Sequence, residues 1–460
     1  MKKQKLVALI AGASLMATAG IAAADGTLAL YGSSAQAKFW AAQAATWMTN
    51  SLGCGGVVTA SSVPGAGAYA GTTHYKVTGS ACTDAAAKAV AGTGVLTVLY
   101  TANDSVTGIQ SVKGSVNADS CGSANQRVMY PASGTANCQT VHMGIADVDA
   151  TAITQQSSGY KVGPLDTTGV TFAPDYGIDA KGVTARATLN KTGLTDITPG
   201  QTLATPFAFW INKAVTATQC TAGLVGNYCN TSTDCNTVYG TNNGTCGAAA
   251  SITNITRLQA TLLFSGQVPT WDYLGQYFTA QPVVLCLRHA GSGTHATLDN
   301  AVMTAGQTGW GSSLVQTQDP VGPPVIWFNN ASADEMACVN GDTTSATTGS
   351  LIGAVGYSDA DAGPAANTVE VKYNGMFPVR SAMRDGLYDF YAIAHYYTNN
   401  SNDAAHNTLA TNMVIWAENP ANMAPAKANY WATVAEMNYI KASDTAYPIY
   451  VGASNPVSPY

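Results

Sequence analysis

Charged residues are scarce in this 460-residue sequence: aspartate, glutamate, lysine and arginine together make up 10% of it. The shortage is greatest on the basic side, with 20 basic against 26 acidic side chains and a formal net charge of −6. A chain with this balance repels the phosphate backbone of nucleic acids, so a nucleic-acid partner is not expected. Any site for an anion must therefore be built locally from a few donors.

Apolar runs long enough to span a bilayer are absent after the first 24 residues. Those first residues carry three lysines, an apolar stretch from Leu6 to Ala23 and three alanines before Asp25, which is the layout of a cleavable secretory signal. Residues 1–24 are thus predicted to be a signal peptide, and no cysteine follows directly to take a lipid anchor. We expect a periplasmic or secreted protein.

The ten cysteines all lie beyond the predicted signal, and an even number in an exported chain favours disulfides. Short-range pairs are expected between Cys121 and Cys138 and among Cys220, Cys229, Cys235 and Cys246, with the connectivity of those four left open. Two polar segments, 103–139 and 218–250, look like insertions. Their composition favours disulfide-pinned surface loops over a partner-binding module.

Short apolar runs are repeatedly followed by helix-like segments, as in "GTLALYG" before "SAQAKFWAAQAATWM" and "PVVLCLR" before "THATLDNAVM". This alternation predicts an α/β protein with mostly parallel strands, long enough for two domains. In such sheets, ligands bind at the carboxyl ends of the strands, where the helices begin.

One of these transitions carries the chemistry of an anion site. Arg288 ends an apolar run, and the loop Gly291-Ser292-Gly293-Thr294 opens the next helix. Helix N-termini present unpaired backbone N–H groups and partial positive charge, and arginine adds a planar fork that matches oxyanions. Gly32-Ser33-Ser34 and Gly79-Ser80 are small loops in similar positions. The alternative is that these serines and threonines only cap helices.

Asp147 follows another short apolar segment, "VHMGIA". An ionised carboxylate only accepts hydrogen bonds, so it tolerates a protonated oxyanion and repels a fully ionised one. Phosphate is protonated near neutral pH and sulfate is not. Asp147 therefore favours phosphate.

Further motifs occur in a particular order: "RLQATLLFSGQVPTWDYLG", the arginine and Gly-Ser-Gly-Thr loop, "ADEMACVN" and "GAVGYSDADA". In this order they resemble the periplasmic phosphate-binding proteins of phosphate ABC transporters, within the phosphate-binding-like group of type 2 periplasmic solute-binding proteins. The resemblance implies a two-lobed type 2 periplasmic binding protein fold with two crossover strands. It also implies that the oxyanion is held by residues from both lobes: Arg288, Ser292, Gly293 and Thr294 from one, and Ser33, Ser34, the backbone of Ala35, Ser80 and Asp147 from the other.

The crossings are expected near 207–212 and 353–358. Lobe one would then comprise residues 25–212 and 356–460, and lobe two residues 213–355, with the cysteine-rich insertion at 218–250. The implied function is a soluble, monomeric receptor that captures phosphate or a similar tetrahedral oxyanion and delivers it to the membrane permease of an ABC transporter, without catalysis or cofactor.

Two departures from the family pattern bear on affinity and selectivity. Ala290 stands where the best-known members have an acid just before the Gly-Ser-Gly-Thr unit, and a hydroxyl residue common in the first loop is replaced near Ala35 and Gln36. The Ala290 change, with the long insertions and the low charge, favours a competing hypothesis: an exported surface, adhesion or assembly protein that keeps the fold without transport.

An enzyme and a metal-binding receptor have less support in the sequence. An enzyme would use His295 as a general base for Ser292 or Thr294, but the Gly-x-Ser-x-Gly elbow is missing because Ala290 precedes Ser292 by two positions. A metal-binding receptor would need clustered ligands, and the six histidines show no tight spacing.

Overall fold

The computed structural model describes the residues from 26 to 451 with gaps; the described ranges are 26–65, 72–116, 120–131, 137–153, 189, 191–197, 202–237, 243–303, 312–317, 319, 322–329, 331–341 and 351–451. The predicted signal peptide lies outside these ranges. Among the helices that they contain, none has the length and apolar character needed to cross a membrane.

The first part of the chain alternates strands and helices. In chain order its elements are β1 Gly26–Ser33, α1 Ser34–Asn50, β2 Gly55–Pro64, β3 Thr73–Ser80, α2 Ala85–Ala91, β4 Val95–Asn103, α3 Ser105–Lys113, β5 Ser120–Cys121, β6 Ser123–Val128, β7 Cys138–Thr140, β8 Met143–Ala146 and β9 Leu194–Asp196.

The middle part begins with a ten-residue strand that is buried throughout. Its elements are β10 Leu203–Asn212, β11 Thr216–Ala222, β12 Thr245–Ser251, β13 Asn254–Ile255, α4 Arg257–Phe264, β14 Val284–Arg288, α5 Gly293–Thr297, β15 Val325–Asn329, α6 Ser332–Asn340, β16 Ala354–Asp359, β17 Thr368–Tyr373 and α7 Arg380–Arg384. A π-helical turn, Leu298–Met303, continues α5.

The last part carries short strands and one long helix: β18 Tyr391–Ile393, β19 His395–Asn399, α8 Ala404–Ala417, β20 Ala432–Thr433, β21 Tyr439–Lys441 and β22 Pro448–Tyr450. The aromatic run that starts at Tyr388 has apolar residues at helical spacing, yet it forms β18 and β19. The run packs in the core, where Tyr388, Tyr391, Tyr396 and Tyr397 are all buried.

Two large sheets organise the molecule, and each one forms a lobe with its helices. The first lobe has the strand order β2-β3-β4-β1-β8-β19-β9, and the second lobe has β13-β17-β10-β16-β14-β15 with β18 and β20 added against β10. In the first sheet the pairs β4–β1 and β1–β8 are parallel, and in the second sheet the pairs β13–β17, β16–β14 and β14–β15 are parallel. Both sheets are therefore mixed. Antiparallel pairs prevail in the first sheet, in contrast to the mostly parallel strands expected from sequence. In the six-strand order of the second sheet, β10 runs against the other five strands, which agrees with that expectation.

The chain passes between the lobes after β9 and again between β18 and β19. The two passages lie side by side, because the backbone N–H of Ala394 donates to the carbonyl oxygen of Leu203 at 2.9 Å. Residues 207–212 and 356–359, expected in lobe one, are parts of β10 and β16 in the second sheet. After α8 the chain returns once more, and β20 pairs with the start of β10.

Each lobe has its own hydrophobic core. In the first lobe, α1 buries Phe39, Trp40 and Trp47 against the sheet, and α8 adds Leu409 and Met413. In the second lobe the core surrounds Phe209, Phe264 and Trp271. Burial of large side chains of this kind contributes about 1.5–3 kcal/mol each.

Five disulfides use all ten cysteines: Cys54–Cys82, Cys121–Cys138, Cys220–Cys235, Cys229–Cys246 and Cys286–Cys338. The expected short-range pairing is thereby confirmed for 121 with 138 and within the group of four. The cysteine-rich segment forms the two-stranded sheet β11–β12. Of the segment 103–139, only the part from residue 120 onward forms a small separate sheet; its first part is the buried helix α3 of the first lobe.

Candidate functional site

Three parallel strands of the first lobe end side by side and bring Ser33, Ser105 and Asp147 together. Ser33 ends β1 opposite Asn103 of β4, Ser105 opens α3 just after β4, and Asp147 follows β8. The hydroxyl of Ser33 donates to Asp147 Oδ1 at 2.5 Å, and that of Ser105 donates to Asp147 Oδ2 at 3.3 Å. The carboxylate is thus fixed by hydroxyl groups from two different helix starts.

Burial changes the titration of the Asp147 carboxyl. Burial raises its pKa to about 6, although the hydrogen bond from Ser33 opposes the shift. Asp359 raises this pKa further, while Ser105 and the positive charge of Arg288 lower it. At neutral pH the group is therefore a buried carboxylate that can accept a hydrogen bond from a protonated oxygen of a ligand.

In the second lobe, Arg288 lies at the end of β14, beside Asn329 at the end of β15. Its side chain is buried, and Nη1 donates to the hydroxyl of Ser332, the first residue of α6, at 2.7 Å. Its backbone N–H donates to the Tyr357 hydroxyl at 3.0 Å. The Ser332 hydroxyl thus restrains the arginine side chain, although this chain has Ala290 at the position where the family pattern has an acid.

The loop that follows Arg288 meets the first lobe directly. Gly293 opens α5, and a Cβ at this position would lie only 2.6 Å from Asp147 Oδ2 and would also collide with the Ser105 hydroxyl. Next to it, the backbone N–H of Val106 in α3 donates to the carbonyl oxygen of Gly291 at 3.2 Å. Glycine is needed at 293 because the two lobes touch there.

We use the name interlobe site for Ser33, Ser105, Asp147, Arg288, Gly293 and Ser332. These residues lie at helix starts or at the carboxyl ends of strands, where backbone N–H groups lack helical partners. The site therefore combines one guanidinium, three hydroxyls and several amide dipoles with one carboxylate. This set of groups can hold a small oxyanion that keeps a proton.

Two further contacts join the lobes beside the interlobe site. Lys38 of α1 forms an ion pair with the buried Asp359 of β16, with Nζ and Oδ2 2.6 Å apart. Burial raises the pKa of Asp359, but the charge of Lys38 and its hydrogen bond outweigh burial, so the pKa lies below its usual value. Gln36 of α1 donates to the hydroxyl of Thr205 in β10 at 3.0 Å.

The remaining residues predicted for the site lie at the starts of α1 and α5 or in hydrophobic clusters next to them. Ser34 is the half-buried first residue of α1, and the buried Ala35 packs into the hydrophobic core of the second lobe. Ser292 caps α5 by accepting from the backbone N–H of His295 at 3.4 Å, and Thr294 is buried in the first turn of that helix. Ala290 is buried in a cluster with Tyr31 and Val106 of the first lobe.

Ser80 lies apart from the interlobe site. It ends β3, which runs antiparallel to β4, and it pairs with Val95 at the start of β4, whereas Ser33 pairs with Asn103 at the end of β4. Eight strand positions separate these two ends, roughly 26 Å at about 3.3 Å per residue. The structure therefore brings Ser33 and Asp147 to the site, but it places Ser80 at the opposite end of the strands.

Ser105, Ser332 and Lys38 were not predicted from the sequence. A signal was present for Ser105, because Asp104-Ser105 follows the apolar run Val95–Tyr100 in the same strand-to-helix context as Ser33. The polar composition of segment 103–139 concealed it. Lys38 gave no local signal, since its partner Asp359 is 321 positions away in the sequence.

The geometry around His295 bears on the enzyme hypothesis. Its Nδ1 lies 2.5 Å from the Tyr357 hydroxyl, and its backbone N–H, rather than its ring, contacts Ser292 Oγ. Burial, with a smaller contribution from the Arg288 charge, lowers the pKa of His295 to about 3. The imidazole is therefore neutral and directed at Tyr357.

No protein-family model matches the chain, and no curated protein matches it. Among solved structures, it is similar to an ABC-type phosphate transport receptor from Vibrio cholerae, with 12% identity, a TM-score of 0.37 and coverage of 84% of this chain and 93% of that chain. A phosphate-binding protein from Stenotrophomonas maltophilia gives 11% identity, a TM-score of 0.37 and coverage of 81% and 78%.

A third similar structure is the high-affinity periplasmic phosphate-binding protein PfluDING with bound phosphate, at 13% identity, a TM-score of 0.38 and coverage of 75% of this chain and 85% of that chain. All three are named as phosphate receptors or phosphate-binding proteins, the class that the sequence motifs resemble. The function proposed below rests on the residues of the interlobe site.

Proposed function

We propose that the protein is a receptor that captures phosphate, or a closely similar protonated oxyanion, between its two lobes. The observation that supports this most is the close packing of Gly293 on Asp147 across the gap between the sheets, with Arg288 near enough for its charge to lower the pKa of Asp147. A buried arginine supplies the positive charge, and the amides of four helix starts together with the Ser332 hydroxyl supply neutral donors.

The donors are numerous enough for useful affinity. A hydrogen bond to a charged group contributes about 1.5–3 kcal/mol net. On the order of eight such bonds can offset the loss of the anion's hydration and still leave about −8 kcal/mol, which corresponds to micromolar binding. The interlobe site therefore needs no large basic surface, in agreement with the scarcity of lysine and arginine.

Asp147 supplies the selectivity in this proposal. A carboxylate accepts a hydrogen bond from a protonated oxygen of phosphate or arsenate, whereas it meets only lone pairs on sulfate. Ser33 and Ser105 hold both of its oxygens, so it cannot easily turn away from a poor ligand. Phosphate and arsenate should bind, and sulfate should not.

Transport is the biological role that fits such binding. We propose that the mature chain is an exported, soluble and monomeric protein that releases its ligand to the membrane permease of an ABC transporter. In this role the two neighbouring passages between the lobes act as the hinge about which the site opens and closes.

Calorimetric titration of the purified mature protein with phosphate, arsenate and sulfate tests the proposal. Heat with the first two and none with sulfate is expected, and Asp147→Asn should admit sulfate. If none of the three anions gives heat, the receptor proposal is wrong. That result would favour a surface or assembly protein.

A further inference from the structure

A groove extends the interlobe site along α6. It has a volume of about 530 Å³ and lies between α6 and the loop at residues 362–365. Ser332 opens the groove at one end and Asn340 lies at the other, so it follows the nine residues of α6. At about 1.5 Å per residue, this is a length of roughly 12 Å.

Ser332 links the groove to the arginine. Ser332 lines the groove and its hydroxyl also accepts the hydrogen bond from Arg288 Nη1 at 2.7 Å. Lys38 lines it as well, and its ammonium group pairs with Asp359 beside the site. A ligand whose oxyanion is held by Arg288 therefore has open space along α6 for a second group.

The walls are mainly small and apolar. Ala333, Met336 and Ala337 share one face of α6, because residues three and four positions apart lie above one another on a helix. Pro364 and two alanines form the facing wall. The volume is within the range of pockets for small organic molecules and is far larger than a single oxyanion needs.

Ser358 gives a second, independent indication of a ligand. It lines the groove, is 1% exposed, and its hydroxyl has no hydrogen-bond partner among the residues that the structure describes. Buried hydroxyls are normally paired. A polar atom of a bound molecule in the groove would provide the missing partner.

We propose that the preferred ligand is a phosphate monoester, with its phosphate in the interlobe site and its organic group in the groove along α6. This inference rests on the proposed function and narrows its ligand class. The monoanion of the ester, which is the main form below a second pKa of about 6, keeps the charge and the protonated oxygen that Arg288 and Asp147 recognise. One of its oxygens carries the organic group past Ser332.

Calorimetry with inorganic phosphate and phenyl phosphate at about pH 6 tests this inference, because about half of the ester keeps its proton there. Phenyl phosphate should bind the parent at least about tenfold more tightly, since the groove removes its apolar surface from water. Ala337→Trp fills the groove and should remove this advantage while changing phosphate affinity less than about twofold. Ala333→Trp, at a more exposed position on the same wall, should act in the same direction if Ala337→Trp disturbs folding.

Ala42→Trp is the matched control, because Ala42 is an exposed alanine of α1 that does not line the groove. It should leave both affinities unchanged. If inorganic phosphate binds and phenyl phosphate binds no better, or if both groove variants keep the advantage of the ester, this inference fails and the receptor proposal stands. If neither probe binds, both fail.

Discussion

The backbone of Gly293 in the second lobe packs so closely on Asp147 in the first lobe that a Cβ at position 293 would lie 2.6 Å from Asp147 Oδ2. This pair shows directly that the two halves of the interlobe site meet. The contact also explains why this loop needs a glycine where α5 begins.

Gly293→Ala should therefore weaken phosphate binding by at least about tenfold, because the methyl group must displace Asp147 or Ser105 before the lobes can close. Titration calorimetry measures the loss. Gly322→Ala is the control, since a Cβ at residue 322 would meet nothing within 4 Å. Equal phosphate affinity in both variants and the parent would show that the lobes need not meet at Gly293.

Arg288 should be essential for affinity. Arg288→Ala removes the only guanidinium of the interlobe site and two or more charge-assisted hydrogen bonds, so binding should weaken at least about 100-fold. Arg288→Lys keeps the charge but loses the planar fork, and about a tenfold loss is expected. Arg384→Ala, at a half-exposed arginine paired with Glu436, should bind phosphate like the parent. Parent-like binding by Arg288→Ala would place the anion elsewhere.

Asp147 should make stability depend on pH in a definite direction. Its folded-state pKa of about 6 lies above the ordinary value, so between about pH 4 and 6 the folded state holds a proton that the unfolded state has lost. Stability from this group is thus highest at low pH and falls as pH rises through 6. The difference in unfolding free energy between Asp147→Asn and the parent should increase by about 2 kcal/mol from pH 4 to pH 8.

Denaturant titrations of both proteins at several pH values measure that difference. A constant offset between them would mean that Asp147 has an ordinary pKa and is not buried as described. Because a carboxylate without ligand destabilises the fold, the same experiment with saturating phosphate should reduce the pH-dependent part.

The Cys286–Cys338 disulfide should matter for binding as well as for stability. It joins β14, which ends at Arg288, to α6, which begins at Ser332, and its partners are 52 positions apart. Replacing both cysteines by alanine should lower the unfolding free energy by about 4 kcal/mol in the chain-entropy description. Phosphate affinity should fall as well, because the arginine and its supporting helix are no longer held together.

The disulfide Cys220–Cys235, between partners 15 positions apart in the cysteine-rich segment, is the matched control. Its removal should cost about 3 kcal/mol of stability and leave phosphate affinity unchanged. Equal losses of affinity in both double variants would contradict a specific role for the bond at Cys286.

The sequence predicted those parts of the site that depend on local patterns. Ser33, Arg288 and Gly293 each lie at a strand-to-helix transition, and capping residues and small loops mark such transitions in the sequence itself. Asp147 was found in the same way, from the end of a short apolar segment. These positions needed no knowledge of distant contacts.

The parts that were missed depend on strand direction and on distant pairing. Ser80 has the same local pattern as Ser33. Because β3 runs antiparallel to β4, however, the carboxyl end of β3 lies beside the start of β4, away from the site. The contact of Lys38 with Asp359 joins the two lobes over 321 positions. The passages between the lobes were expected at residues that belong to β10 and β16, whereas the chain crosses after β9 and between β18 and β19. The local sequence does not show which strands pair, so it could not locate these passages.

Anomalous diffraction from crystals grown with arsenate, at the arsenic absorption edge, tests the central claim most directly. The account predicts one strong peak between the lobes, with arsenate oxygens within hydrogen-bond distance of the Arg288 guanidinium, the Ser33 hydroxyl and Asp147. The account would be contradicted if no arsenic peak lay between the lobes, or if arsenic peaks were found only on the outer surface.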